Sequence, residues 1–236
     1  MTLSIDQISP TRRALLGEFK QHGPSTISEL AERLEMSGEA VRQQLVQLQR
    51  DGWVEAIVER VQTTRADAGR PPARFRLTSS GDHLFPKHYD ALAVMLLDTV
   101  AAELGKPAFD KLLAAIAEER VREWEPRMRG LGLPERVQAL KAVYGEGDPY
   151  MEVEKARGGF RLIERNCPFL NIAMQRPALC STTVFALSRL LGVRVVREER
   201  FQHGHGRCVF RVLAGEAADP KQGFALEPEP SRDAPK

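Results

Sequence analysis

The chain has little of what usually assigns a protein at sight. Its 236 residues include three cysteines, two tryptophans and 6% aromatics, and the formal net charge is +2. Three cysteines without a close pair do not make a disulfide framework, and a charge so near zero decides nothing about nucleic acid. No apolar stretch approaches the length of a membrane span, and Met1-Thr2-Leu3-Ser4-Ile5-Asp6 lacks the basic start and apolar run of a signal peptide. A cytoplasmic protein with no membrane partner is therefore expected. Also missing are a Ser/His/Asp set, a phosphate-binding glycine loop and an H-E-x-x-H motif, so nothing in the sequence asks for catalysis. What is present is 42% hydrophobic and 28% charged residues, enough for one large domain or two small ones with buried cores.

From the N-terminus, Leu15, Leu16 and Phe19 with Ala14 give Pro10 to Gln21 an apolar face at helical spacing, ended by His22-Gly23-Pro24. Thr26-Ile27-Ser28-Glu29 fits a capping box that starts a second helix, whose inner face is Ile27, Leu30, Ala31 and Leu34. After the turn at Glu35-Met36-Ser37-Gly38, Ser37 caps a third helix reaching about Asp51-Gly52, with Val41, Leu45 and Leu48 turned inward. Two short helices joined this way match a helix-turn-helix. The outward residues Glu39, Ala40, Arg42, Gln43, Gln44 and Gln47 carry side chains suited to base edges, because Gln pairs with adenine and Arg with guanine.

Trp53 to Val58 and Ala73 to Thr78 alternate as two strands of a wing hairpin. Residues 1–84 balance eleven Lys and Arg against eleven Asp and Glu, yet between 60 and 76 five arginines, Arg60, Arg65, Arg70, Arg74 and Arg76, meet only Asp67. A guanidinium-rich wing beside such a helix is where phosphate and minor-groove contacts to a double-stranded operator fall. A winged helix used only for protein contacts is the bland alternative.

Helices are next expected over His88 to Leu104, Pro107 to Trp124 and Leu133 to Val143. The first has an apolar stripe, Leu92, Ala93, Leu96, Leu97 and Val100, that can be core alone or core and dimer seam together. A homodimer is expected, since two-fold proteins read paired half-sites.

The C-terminal part reads as a hairpin (Tyr150 to Glu154, Gly159 to Glu164), a loop with Cys167, a helix from about Pro177 to Leu190 with Cys180, and strands near Val193 to Arg197 and Arg207 to Val212. Cys208 lies in the last strand, beyond the turn His203-Gly204-His205-Gly206. Twelve residues separate the first two cysteines and twenty-seven the last two, wider than the close pairs zinc prefers but tolerable for an iron–sulfur cluster. Spacing alone leaves two readings open, three buried small apolar side chains or a metal site. The segment from Gly215 on, polar and proline-containing, is expected to be disordered.

Gly69-Arg70-Pro71, Phe75-Arg76-Leu77-Thr78, Leu84-Phe85-Pro86, Tyr89-Asp90, Asn166-Cys167-Pro168-Phe169, Cys180 and Gly206-Arg207-Cys208 together resemble the SufR-type iron–sulfur-sensing regulators, winged-helix transcription factors within the ArsR-like grouping. The resemblance covers about residues 10 to 213. It implies a dimeric repressor of cluster-assembly genes that holds a 4Fe–4S cluster, in preference to 2Fe–2S, on Cys167, Cys180 and Cys208. Relatives with a fourth cysteine carry it just after the helix, where this chain reads Gly192-Val193-Arg194, so the resemblance implies a non-cysteine ligand or water for the fourth iron. His203 and His205 are the nearest candidates in sequence.

The expected architecture is α+β: a winged helix-turn-helix over 1–84, a helical linker and dimerisation region over 85–147, an α+β cysteine-containing effector region over 148–214 and a tail over 215–236. Other functions consistent with the sequence are a metal-free switch in which Cys167 and Cys180 form a disulfide, a regulator responding to a small organic ligand, and an enzyme with an accessory winged helix.

Overall fold

The computed structural model describes residues 4–57, 73–146, 150–219 and 221–228. The chain divides into two compact units, Met1–His88 and Tyr89–Lys236.

In the first unit, α1 (Pro10–His22) begins with a proline, whose missing N–H costs nothing there. Strand β1 (Ser25–Thr26) leads into α2 (Ile27–Arg33), where the capping box is complete. The Glu29 carboxylate accepts the Thr26 N–H at 2.7 Å, and the Thr26 hydroxyl accepts the Glu29 N–H at 3.2 Å. The turn to α3 (Gly38–Arg50) holds Glu35 at φ 52°, and the Ser37 hydroxyl accepts the Ala40 N–H at 3.2 Å. Leu15, Leu16, Phe19, Leu30, Val41, Leu45 and Leu48 form the core between these helices, none more than 3% exposed. Burial of each contributes about 1.5–3 kcal/mol.

Strands β2 (Val54–Ile57) and β3 (Arg74–Leu77) pair antiparallel with Val54 opposite Leu77, and β1 adds to the other edge of β3. The short α4 (Ser79–Asp82) closes the unit. Its Gly81 is obligatory, because a Cβ there would lie 2.1 Å from the Trp53 carbonyl oxygen.

The second unit opens with α5 (Tyr89–Glu103), α6 (Gly105–Trp124) and α7 (Leu133–Gly145). There follow β4 (Glu152–Ala156), β5 (Gly159–Glu164), α8 (Leu170–Gln175), a 3-10 turn Pro177–Cys180, α9 (Ser181–Leu191), β6 (Val193–Glu199), a 3-10 turn Phe201–His203 and β7 (Cys208–Ala217). The four strands make one antiparallel sheet in the order β4-β5-β7-β6. Leu187, Leu190 and Leu191 of α9 share a core with Leu162, Val195, Phe210 and Val212 of the sheet and with Val137 and Leu140 of α7.

Three features differ from expectation. The helix expected from Pro177 is a 3-10 turn first and α-helical only from Ser181, and α8 precedes it. The stripe of α5, expected as core alone or as core and dimer seam together, departs from core alone: Leu92 and Leu96, with Met95 beside them, are more than half exposed. The chain beyond Gly215 does not leave the fold at once, since β7 runs to Ala217, Phe224 meets Phe185 edge-on at 5.6 Å, and Glu227 pairs with Arg197 at 3.2 Å and Arg200 at 3.1 Å. The physical reason is Arg197, whose side chain is only 3% exposed and requires an anion.

Candidate functional site

Two constellations carry chemistry, one in each unit. On α3, Glu39, Arg42, Gln43 and Val46 are exposed at helical spacing, with Gln44 and Gln47 half-buried beside them and Ser37 exposed at the cap. Arg42 pairs with Glu39 at 2.8 Å. Val46, 41% exposed, was not singled out from the sequence, although its place four residues after Arg42 could have done so. On such a face an apolar side chain suits the thymine methyl. Arg74 lies on β3, where its guanidinium donates to the Pro24 carbonyl at 2.8 Å and pairs with Glu29 at 3.4 Å. Arg60, Arg65 and Arg70 lie outside the described residues.

In the second unit the three cysteines line one small cavity of about 20 Å³. Cys167 comes from the loop after β5, Cys180 ends the 3-10 turn before α9, and Cys208 starts β7 opposite Glu164. The rest of the lining includes Glu164, Phe169, Leu179, Thr182, Arg197 and Gln202.

Each sulfur has an N–H beside it: the Phe169 backbone for Cys167, the Phe201 backbone for Cys208, and Gln202 Nε2 for Cys180 at 3.2 Å. Arg197 donates to the Cys180 carbonyl at 2.8 Å, stacks over the Phe210 ring at 4.5 Å, and lies within electrostatic reach of Cys180 and Cys208. Burial pushes the Cys167 thiol up to about 12, and the nearby Glu164 carboxylate adds to the effect. Burial likewise raises Cys208, against the opposing pull of Arg197.

The donor set fits an anionic, sulfur-bound group: three soft ligands, three N–H donors and one buried cation around a single cavity. It does not have the form of a single-ion site. Among the described residues no three His, Cys, Asp or Glu side chains are grouped as one metal ion requires. In a cluster each sulfur bonds its own iron, so the ligands stand apart.

His203 and His205 are exposed, their rings 5.8 Å apart, and neither lines the cavity. His205 Nδ1 accepts from the Arg200 N–H at 3.3 Å. Gly192-Val193-Arg194, the segment at which the resemblance above looks for a fourth cysteine, begins at the far end of α9. The eleven residues of that helix span about 16 Å, so the segment is remote from Cys180 at the other end. Gln202 was not foreseen, because nothing in the sequence placed the Phe201–His203 turn against the cysteines.

Ala93, Leu96, Leu97, Val100, Leu112 and Ile116 form much of an apolar groove of about 450 Å³ on α5 and α6. Phe169, Leu179 and Thr182 line both this groove and the cysteine cavity.

Residues 8–55 match a family model described as a helix-turn-helix domain. A solved MarR-family regulator from Neisseria meningitidis is 18% identical, covers 47% of this chain and 72% of its own, and superposes with a TM-score of 0.27, too distant a likeness to carry an argument. No curated protein matches the chain.

Proposed function

We propose that this helix-turn-helix regulator binds a double-stranded operator as a homodimer, and that an iron–sulfur cluster held by Cys167, Cys180 and Cys208 controls that binding. The observation that carries the proposal is the convergence of three cysteines, distant in sequence, on one cavity, each beside an N–H donor. When bound, the cluster supplies an oxidant- and iron-sensitive bond network; 4Fe–4S is favoured over 2Fe–2S by the resemblance described above. The regulator then acts as a repressor of genes for cluster assembly, sensing the product of that assembly.

The residues of the chain do the rest. Arg197 offsets the negative charge of the thiolates, and Cys167, Cys180 and Cys208 tie loop, turn and strand together. A group held by all three cysteines would bear on loop, turn and strand at once. Because Phe169, Leu179 and Thr182 are shared, the same loading would bear on the groove on α5 and α6. The exposed Leu92, Met95 and Leu96 make that face the proposed seam between protomers. Repacking of the seam alters the spacing of the two α3 helices and hence operator affinity.

The test is iron and acid-labile sulfide per chain on protein purified without oxygen, followed by Cys→Ser at each of the three positions. Each variant is expected to lose cluster occupancy and operator affinity together. Operator affinity unchanged in all three would remove the cluster from the mechanism.

A further inference from the structure

Among the described residues around the cysteine cavity, Gln202 is the one polar side chain with a buried atom left unpartnered. It sits on the Phe201–His203 turn and lines the cavity with the three cysteines. Its Nε2 donates to the Ala173 carbonyl at 3.1 Å and to Cys180 Sγ at 3.2 Å. A carbonyl oxygen only accepts, so the amide cannot be turned round, and Oε1 faces away from Ala173. That Oε1 is buried and has no hydrogen-bond partner. Burying a bare acceptor is costly and uncommon, and a ligand missing from the coordinates is one of its ordinary explanations.

The other oxygen-bearing side chains around the cavity have partners. Thr182 donates to the Leu179 carbonyl at 2.7 Å, Thr183 accepts from Arg120 at 3.4 Å, and Glu164 has a partner of its own. Both histidines are outside the lining.

We infer that Gln202 Oε1 is the fourth ligand of a four-iron cluster, closing the iron corner that three cysteines leave open. This rests on the cluster reading above. A neutral oxygen adds no charge to a cavity already bordered by Glu164, and the same amide keeps its N–H on Cys180. Iron held through a carboxamide is bound less firmly than iron on a thiolate, so this corner is the first to be lost.

The experiment compares wild-type protein, Gln202→Ala, Gln202→Glu and Gln202→Cys, each reconstituted with iron-57 and sulfide without oxygen and examined by Mössbauer spectroscopy before and after brief ferricyanide treatment. In the wild type, one iron in about four should differ in isomer shift from the rest. Gln202→Ala should lose that iron severalfold faster on oxidation, moving from about four irons per cluster toward three, whereas Gln202→Glu should retain it. Gln202→Cys should give a spectrum without the distinct iron, and it answers the question even if the alanine variant does not fold. A loaded wild type whose spectrum and rate of iron loss are the same in all three variants overturns the assignment of Gln202 and leaves the cluster standing. A wild type that takes up neither iron nor sulfide overturns both.

Discussion

Glu227→Gln tests whether the C-terminal segment is part of the second unit's fold. Glu227 is the acid for Arg197, 3% exposed, and Arg200, 12% exposed, and is itself 14% exposed. Removing one partner of a buried pair costs about 3–5 kcal/mol, because the other charge stays buried. Here Arg197 keeps its bond to the Cys180 carbonyl and its stacking on Phe210, and glutamine keeps one acceptor oxygen, so the expected loss in cluster-free protein is about 2–3 kcal/mol. That corresponds to a roughly 30- to 150-fold larger population of the opened unit. Urea unfolding in a Trp53→Phe background reads it, since Trp124, edge-on to Tyr144 at 5.3 Å, is then the only tryptophan and reports on the second unit. A shift below about 0.5 kcal/mol would refute the argument that Glu227 is the counter-ion Arg197 depends on.

A thiol pushed up to about 12 is a poor redox sensor. Alkylation of Cys167 in cluster-free protein at neutral pH should be about 30- to 100-fold slower than for an ordinary cysteine, the loss of thiolate being partly offset by its higher intrinsic nucleophilicity; mass-spectrometric labelling kinetics at the ordinary rate would favour the disulfide switch instead. In the first unit, hydrogen bonds from Lys20 and then Lys87 hold the Asp82 carboxyl at about 2, below its ordinary value of 3.8. A lowered carboxyl stabilises the fold fully above 3.8 and loses that contribution as pH falls through about 2, so wild type and Asp82→Asn should differ in stability at pH 6 and converge near pH 2. Arg42→Ala should weaken operator binding by about 1–3 kcal/mol and relax preference at one base pair, while Glu39→Gln, which frees Arg42 from its 2.8 Å pair, should strengthen binding to unrelated DNA; mobility-shift titrations at fixed salt measure both.

The helix-turn-helix was legible because its determinants are local. Thr26 with Glu29, Ser37 with Ala40, and the inward spacing of Val41, Leu45 and Leu48 lie within a few residues of one another. The β4–β5 hairpin was legible for the same reason, turning at Arg157-Gly158, where Gly158 takes a φ of 81°. What escaped depends on partners far along the chain. Leu170–Gln175 is too short for a helical period to stand out, and its capping residue Phe169 carries no signal. Glu227 looked like part of a tail because Arg197, thirty residues earlier, becomes its partner only once β6 and α9 have folded. Gln202 escaped because its role depends on Ala173 and Cys180, neither of which periodicity could bring to the Phe201–His203 turn.

Phe169, Leu179 and Thr182 stand as a party wall between two largely apolar rooms, one small and sulfur-lined, the other wide. A hydrophobic compound lodged among Leu96, Leu97, Val100 and Ile116 presses on that wall from the outside. Linkage is reciprocal, so whatever such a compound does to the cysteine side, occupancy of the cysteine side must do to its affinity. Whatever covers the groove, a partner's helix included, and whatever occupies the cysteine side would each change the other's affinity by the same factor through these three residues.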